Sequence, residues 1–211
     1  MRVVIFGANG DTGREAMAHC LEAGFTVVAA VRRPKTVAKV KDIELAEIDF
    51  DQHATLVGAM QGADAVVSCI GHGSLSASKR FTDLYSTSTR AYLRAMREAG
   101  VSRIIALSSG GVVEDPEAPW FYTKLLRRYL INTYVDMARM ETILEETDDI
   151  EWTSVRLTYL RKGKSKPFLV KEGRLEEGAF QIHFTDAGRF IAEELEKREW
   201  VRAHPVLGYP S

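Results

Sequence analysis

Cysteine is scarce in this chain: two in 211 residues, Cys20 and Cys69. They stand far apart, in apparently buried elements, and form no C-x-x-C pair. That excludes a disulfide framework and a thiolate metal site, and it fits a reducing, cytoplasmic setting. The five histidines, His19, His53, His72, His183 and His204, are dispersed without a metal-ligand pattern, so no metal is expected. Excess charge of one sign is also missing, the formal net charge being −1. No broad positive field is therefore available for nucleic acid or for an anionic membrane. No apolar run is long enough to span a bilayer. The first strand is expected to start at Arg2, which leaves no place for a signal peptide. Linkers, repeats and low-complexity segments are absent as well. The expectation is one domain over 1–211, a monomer or homodimer that takes a small-molecule substrate.

Two further absences bear on chemistry. No tyrosine is followed four residues later by lysine: the residue at that place is Thr89 after Tyr85, Met96 after Tyr92, Leu126 after Tyr122, Thr133 after Tyr129, Ala138 after Tyr134 and Gly163 after Tyr159. On a helix that spacing stacks an ammonium over a phenol and lowers its pKa for proton transfer. Its absence argues against an ordinary alcohol dehydrogenase or sugar epimerase. Secondly, the run Phe25–Val31 ends in Arg32-Arg33, with no carboxylate.

What is present begins at the N-terminus. Arg2–Phe6 (RVVIF) reads as a buried strand and Arg14–Ala23 as a helix stopped by Gly24. Between them lies Gly7-Ala8-Asn9-Gly10-Asp11-Thr12-Gly13. Gly7 permits the tight turn, Gly10 lets the backbone approach a pyrophosphate, and Gly13 lets the helix lie close to the strand. The free N–H groups of the first helical turn then face the phosphates. Asp11 brings a carboxylate near them, which is tolerable if it caps the helix. A site for NAD usually carries an acidic residue at the end of the second strand, for the ribose hydroxyls. Arg32 and Arg33 suit a 2′-phosphate instead, so NADP(H) is favoured over NAD(H). The alternative is a pair of solvated loop charges.

Strand and helix alternate along the rest of the chain. Strands are expected at Ile43–Ile48, Ala63–Ile70, Ser102–Leu107 and Glu151–Leu157. Helices are expected at Gln52–Met60, Lys79–Ala99, Pro119–Thr147 (broken near Thr133) and Thr185–Lys197, with Thr185 as N-cap. Phe168–Phe184 reads as a hairpin or charged loop, and Pro205–Leu207 as a short last strand. Such alternation implies a Rossmann-like, doubly wound α/β fold with a mostly parallel sheet flanked by helices. Ligands bind outside the carboxyl ends of such strands. That rule gathers Gly7 to Gly13, Arg32, Asp49, Gly71, Ser108 to Gly111 and Tyr159, with substrate-side elements mainly from 108–135 and 157–184.

GANGDTG after RVVIF, VRR after the second strand, DAVVSCIGHG and IIALSSGG together resemble the atypical short-chain dehydrogenase/reductase proteins. The flavin reductase/biliverdin reductase B type and the NmrA-like NAD(P)-binding proteins are the most similar branches. The resemblance runs from Met1 to about Tyr209. It implies pyrophosphate contacts from Gly7, Asn9, Gly10 and Thr12, the last through its hydroxyl. It implies a 2′-phosphate contact from Arg32, an adenine edge from Asp49 and the Phe50 backbone, and a ribose and nicotinamide side along Ile70 and Gly71. Ser108 and Ser109 fall where the family places nicotinamide and substrate contacts. Tyr159 falls where relatives carry a proline turn, which Leu157-Thr158-Tyr159 lacks.

Flavin and quinone reduction need no tyrosine–lysine dyad, because solvent supplies the remaining proton and the protein chiefly holds two rings together. The expected activity is NADPH-dependent reduction of a flavin, quinone or similar planar acceptor. The alternatives are a non-catalytic NADP(H) sensor of the NmrA type and, behind it, a carbonyl reductase or epimerase. Ser109 and Tyr159 are the candidate hydrogen-bond donors to the acceptor. Ser109 fits equally a hydroxyl that satisfies backbone, and Tyr159 a packing tyrosine. His72 falls beside the nicotinamide or in an exposed loop, with no proton role assigned. Trp120, Phe121 and Tyr122 offer a roof for the substrate, a partner contact or plain packing. Lys124, Arg127, Arg128, Arg161, Lys162, Lys164 and Lys166 offer a cationic rim or a solvated face.

Overall fold

The computed structural model describes residues 1–34, 42–72, 81–113, 127–175 and 178–210. The most apolar segments form the sheet centre. β1 (Arg2–Phe6) and β2 (Thr26–Val31) pair in parallel, and β1 also pairs in parallel with β4 (Ala65–Ser68). Both faces of these strands are covered, which is why their sequences run apolar without alternation. Outward from β2 lies β3 (Ile43–Glu47), a half-exposed edge strand. On the other side follow β5 (Arg103–Ser109) and β6 (Glu151–Leu157), then β10 (Pro205–Gly208). β8 (Leu169–Glu172) closes that edge antiparallel to β10. The order is β3-β2-β1-β4-β5-β6-β10-β8.

One face is covered by α1 (Asp11–Glu22) and by the helix Phe184–Lys197, here α5, with Ala16, Met17, Phe190 and Ile191 buried against Val3 and Ile5. The other is covered by α2 (His53–Met60), α3 (Leu84–Ala99) and α4 (Arg127–Glu145), which bury Leu56, Tyr92, Met96 and Leu144 against Val4 and Phe6. Helices on both faces make the fold doubly wound. After β3 the chain returns to the far side of β1, so the winding direction reverses between β1 and β4. A crevice outside the carboxyl ends of the strands belongs at such a reversal.

Several expectations are corrected. α1 begins at Asp11, not Arg14, with Gly10 as N-cap and no capping side chain. Asp11 therefore does not cap the helix; it is the first helical residue. α4 runs unbroken through Thr133, whose buried side chain is held by packing that overrides its modest helix propensity. Thr185 is not the N-cap of α5; His183 is, and the Thr185 hydroxyl lies 3.2 Å from His19 Nε2 instead. Phe168–Phe184 is not a hairpin. β8 pairs with β10, whereas β9 (Gln181–His183) pairs in parallel with β7 (Tyr159–Arg161), a strand absent from the sequence reading. The start of the helix expected from Lys79, and the aromatic cluster at 120–122, fall outside the described residues.

Candidate functional site

The glycine turn is set by backbone contacts. Gly7 has φ +75°, a left-handed conformation that side chains rarely adopt. A Cβ there would also lie 2.8 Å from the Ile70 nitrogen and closer still to the Cys69 carbonyl. A Cβ on Gly13 would lie 2.9 Å from Ala8 Cα and closer to the Gly7 oxygen. Glycine at both positions lets the first turn of α1 sit directly over the end of β1. The loop closes on itself through Gly10 N–H to Gly7 O, 3.0 Å, and the helix starts with Arg14 N–H to Gly10 O, 2.9 Å. Because no side chain caps α1, the amides of its opening turn are left to face the crevice. A pyrophosphate fits such a cradle, since it supplies the acceptors and the negative charge that a helix N-terminus favours. Thr12 is buried in the same turn.

Asp11 places its half-exposed carboxylate 3.7 Å from Lys162 Nζ. The pair is too exposed to add much stability, but it sets a cation beside the one carboxylate of the loop. A cavity of about 300 Å³ opens here between Asp11, Arg14, Lys162 and Phe184. The strap that carries Lys162 is tied down by Asp186, fully buried in α5. Asp186 accepts from Ser165 Oγ (2.7 Å), Arg189 (3.0 Å), the Lys166 amide and the Tyr209 hydroxyl. Burial alone would raise this carboxyl; the hydrogen bonds outweigh it and hold it below the usual range. Lys166 Nζ lies 3.7 Å from the centre of the Tyr209 ring, so this lysine of the expected rim is engaged in packing.

Arg32 is exposed where β2 ends and has no ion pair among the described residues; Arg33 is exposed beside it. The Asp49 carboxylate accepts from the Asp51 amide (3.0 Å) and from Gln52 Nε2 (2.9 Å), forming the turn into α2. Phe50 is half-buried with its ring 5.7 Å from that of Tyr92. β4 ends at Ser68, so Ile70 and Gly71 lie beyond the strand, Gly71 exposed.

The two serines ending β5 point apart. Ser109 Oγ accepts from the Gly111 amide at 3.2 Å, the backbone-satisfying arrangement. Ser108 is buried on the α4 face, beside Arg156 in the sheet register. There Glu141 of α4 receives the Arg156 fork at 3.0 and 2.8 Å. Burial pushes Glu141 up; His204, 3.7 Å away, and the Arg156 fork outweigh it and hold the carboxyl at about 2. Tyr159 is 61% exposed on β7, so it is no packing tyrosine. His72 is half-buried, not an exposed loop histidine. Sequence reasoning missed Tyr85, Asp136, Glu141 and Asp186, all buried. No metal-binding cluster, and no helix long and apolar enough to cross a membrane, occurs among the described residues.

The reversal point, the uncapped glycine turn and the flanking helices define a Rossmann-like nucleotide-binding protein. Residues 7–198 match the NAD(P)H-binding family, and the chain belongs to it. It resembles an uncharacterized protein of Mycobacterium tuberculosis, 36% identical over 112 residues, which covers 52% of this chain and 12% of that protein. The chain thus spans a small fraction of the length of the curated relatives it matches. Its fold is shared with the oxidoreductase ylbE of Lactococcus lactis (TM-score 0.82, 17% identity, 100% of this chain and 92% of that one). It is shared with a candidate NADH-flavin reductase of Streptococcus pneumoniae (TM-score 0.78, 18% identity, 100% of both chains). A short-chain dehydrogenase/reductase of Veillonella parvula in complex with NADP is also similar (TM-score 0.75, 17% identity, 100% of this chain and 95% of that one).

Proposed function

We propose that the chain binds NADP(H) and reduces a planar acceptor, a quinone or an isoalloxazine. The observation that carries the cofactor half is the uncapped, glycine-built start of α1, with Arg32 exposed at the end of the neighbouring strand and without an ion pair among the described residues. In this reading Gly7, Asn9, Gly10, Thr12 and Gly13 hold the pyrophosphate, and Lys162 offsets the charge of Asp11. Arg32, flanked by Arg33, grips the 2′-phosphate. Asp49 and Phe50 edge the adenine; Ile70, Gly71 and Ser108 line the nicotinamide side. Ser109 and Tyr159 stand on the acceptor side. One domain over 1–211 carries all of these residues.

When bound, NADPH supplies a hydride from its dihydronicotinamide ring. The protein's part is to hold the acceptor ring against that donor and to keep water out of the contact. A planar acceptor suits a chain without the tyrosine–lysine pattern, since the proton that follows comes from water. The test is NADPH oxidation, with NADH alongside, against FMN, riboflavin, quinones and biliverdin. Turnover of at least one planar acceptor with NADPH is expected. Tight NADPH binding with every acceptor left unreduced would replace this reading with the sensor.

A further inference from the structure

Where the chain leaves β4, two polar side chains meet that no element of the fold needs. Tyr85 stands in the first turn of α3, its ring buried against the core under β4. Its hydroxyl comes up beside Gly71: a Cβ at that glycine would lie 3.8 Å from the phenol oxygen. Gly71 is exposed, so the phenol ends under the open lip of the crevice. The hydroxyl forms no hydrogen bond among the described residues. Next along the chain, the His72 ring packs edge-on against Tyr85, with centroids 5.5 Å apart and planes at 81°. Its Nε2 is buried and has no partner among the described residues. Buried nitrogens without partners are rare and call for a ligand or a bound water.

The helical turn that carries Tyr85 is held in place from below. Asp136 of α4, fully buried, accepts from the Tyr85 amide at 2.8 Å and from Ser86 Oγ at 2.5 Å. Its carboxylate thus caps α3 from a neighbouring helix, at an N-terminus whose own cap residue, Asp83, supplies no side-chain bond. A phenylalanine at 85 would fill the same core space.

We propose that the Tyr85 hydroxyl, on a turn held by Asp136 and walled by His72, donates a hydrogen bond to a carbonyl oxygen of the planar acceptor. The proposal rests on the reductase reading above. Carbonyl oxygens are common to quinones and isoalloxazines, and negative charge develops on them as hydride arrives. A donor already aimed at that position stabilises the charge without reorganising. The overall step is acceptor plus NADPH plus one proton giving reduced acceptor plus NADP⁺. Hydride carries both electrons from the dihydronicotinamide, water supplies the proton, and Tyr85 keeps its own. Burial, aided by the nearby Asp136 charge, pushes the phenol up to about 12, so it remains a donor at any working pH. Burial lowers His72, which favours the neutral imidazole beside it.

The test is Tyr85→Phe, which removes one oxygen and keeps the ring. With NADPH and the best quinone or flavin of the acceptor panel, kcat/KM is expected to fall on the order of 100-fold. The NADPH Kd, read by fluorescence titration, is expected to stay within about twofold, less than the change from losing one neutral hydrogen bond. The unfolding midpoint is expected to hold, because the buried ring is kept. Unchanged kcat/KM would overturn the proposal, and so would a loss of NADPH affinity as large as the loss of rate. An active parent with an equally active Tyr85→Phe sinks this inference alone. A parent that reduces no acceptor sinks the reductase reading with it.

Discussion

Gly13→Ala is expected to weaken NADPH binding on the order of 100-fold, the scale of an ångström's misplacement of a binding group. The added methyl would meet the Gly7 carbonyl and lie 2.9 Å from Ala8 Cα, both backbone atoms that cannot swing aside. Either α1 moves off the sheet or the Gly7–Gly10 turn opens. Both outcomes take the amides of the first helical turn away from the phosphates. Overpacking of this kind also costs about 1–3 kcal/mol of stability. A control on the same helix separates the two effects. Ala18→Gly lies on the exposed side of α1 and costs about 1 kcal/mol through helix propensity alone. It should leave the NADPH Kd unchanged. Calorimetric titration of both variants, beside urea unfolding, reads the result. NADPH affinity retained in Gly13→Ala would mean that the turn is not the phosphate site.

Arg103→Met is expected to destabilise the fold by about 3–5 kcal/mol without touching the site. Arg103 opens β5 at the end of the sheet opposite the crevice, and pairs with Glu194 of α5 at 2.8 Å; the two side chains are 4% and 1% exposed. The guanidinium also donates to Thr153 Oγ1 and to the carbonyls of Ile104 and Glu151. Glu194 accepts from the amides of Glu199 and Trp200. Neither charge is comfortable: burial draws Arg103 down to about 10 and pushes Glu194 up. Without the arginine, a nearly water-free carboxylate remains. Its folded-state pKa then lies further above the unfolded value. Its contribution is fully present below the unfolded pKa and is lost as pH rises through the folded one. The variant should therefore lose less stability at pH 5 than at pH 8. Arg103→Met combined with Glu194→Leu should recover most of the loss, because no charge is left unpaired. Urea unfolding at the two pH values reads all three proteins. A loss under about 1 kcal/mol for Arg103→Met at pH 8 would show that the pair is solvated, as a surface pair is.

The parts of the fold legible in the sequence are those whose cause is local. The apolar runs of β1 and β2 declare buried parallel strands. Gly7 and Gly13 declare a turn that only glycine fits. β5 is found close to its expected place, running two residues past Leu107 to end on the serines 108 and 109. Where the cause lies far along the chain, the sequence is mute. β7 and β9 have three residues each, too short for alternation to register, and exist because they pair with one another. Thr133 suggested a break in α4 by propensity, which packing overrode. Asp136 and Glu194 carry no local sign of burial, yet each is buried through partners 51 and 91 residues away. Tyr85 has no lysine four residues on, and its neighbours His72 and Asp136 come from other elements.

Under the proposed function the crevice takes a 2′-phosphorylated dinucleotide. The decisive measurement is calorimetric titration of the parent and of Arg32→Ala with NADPH and with NADH. The parent should bind NADPH at least about tenfold tighter than NADH. Arg32→Ala should weaken NADPH about 10- to 100-fold, the value of a hydrogen bond between charged groups, and leave NADH nearly unchanged. Equal affinity of the parent for both nucleotides, or a variant that binds NADPH as the parent does, would contradict it.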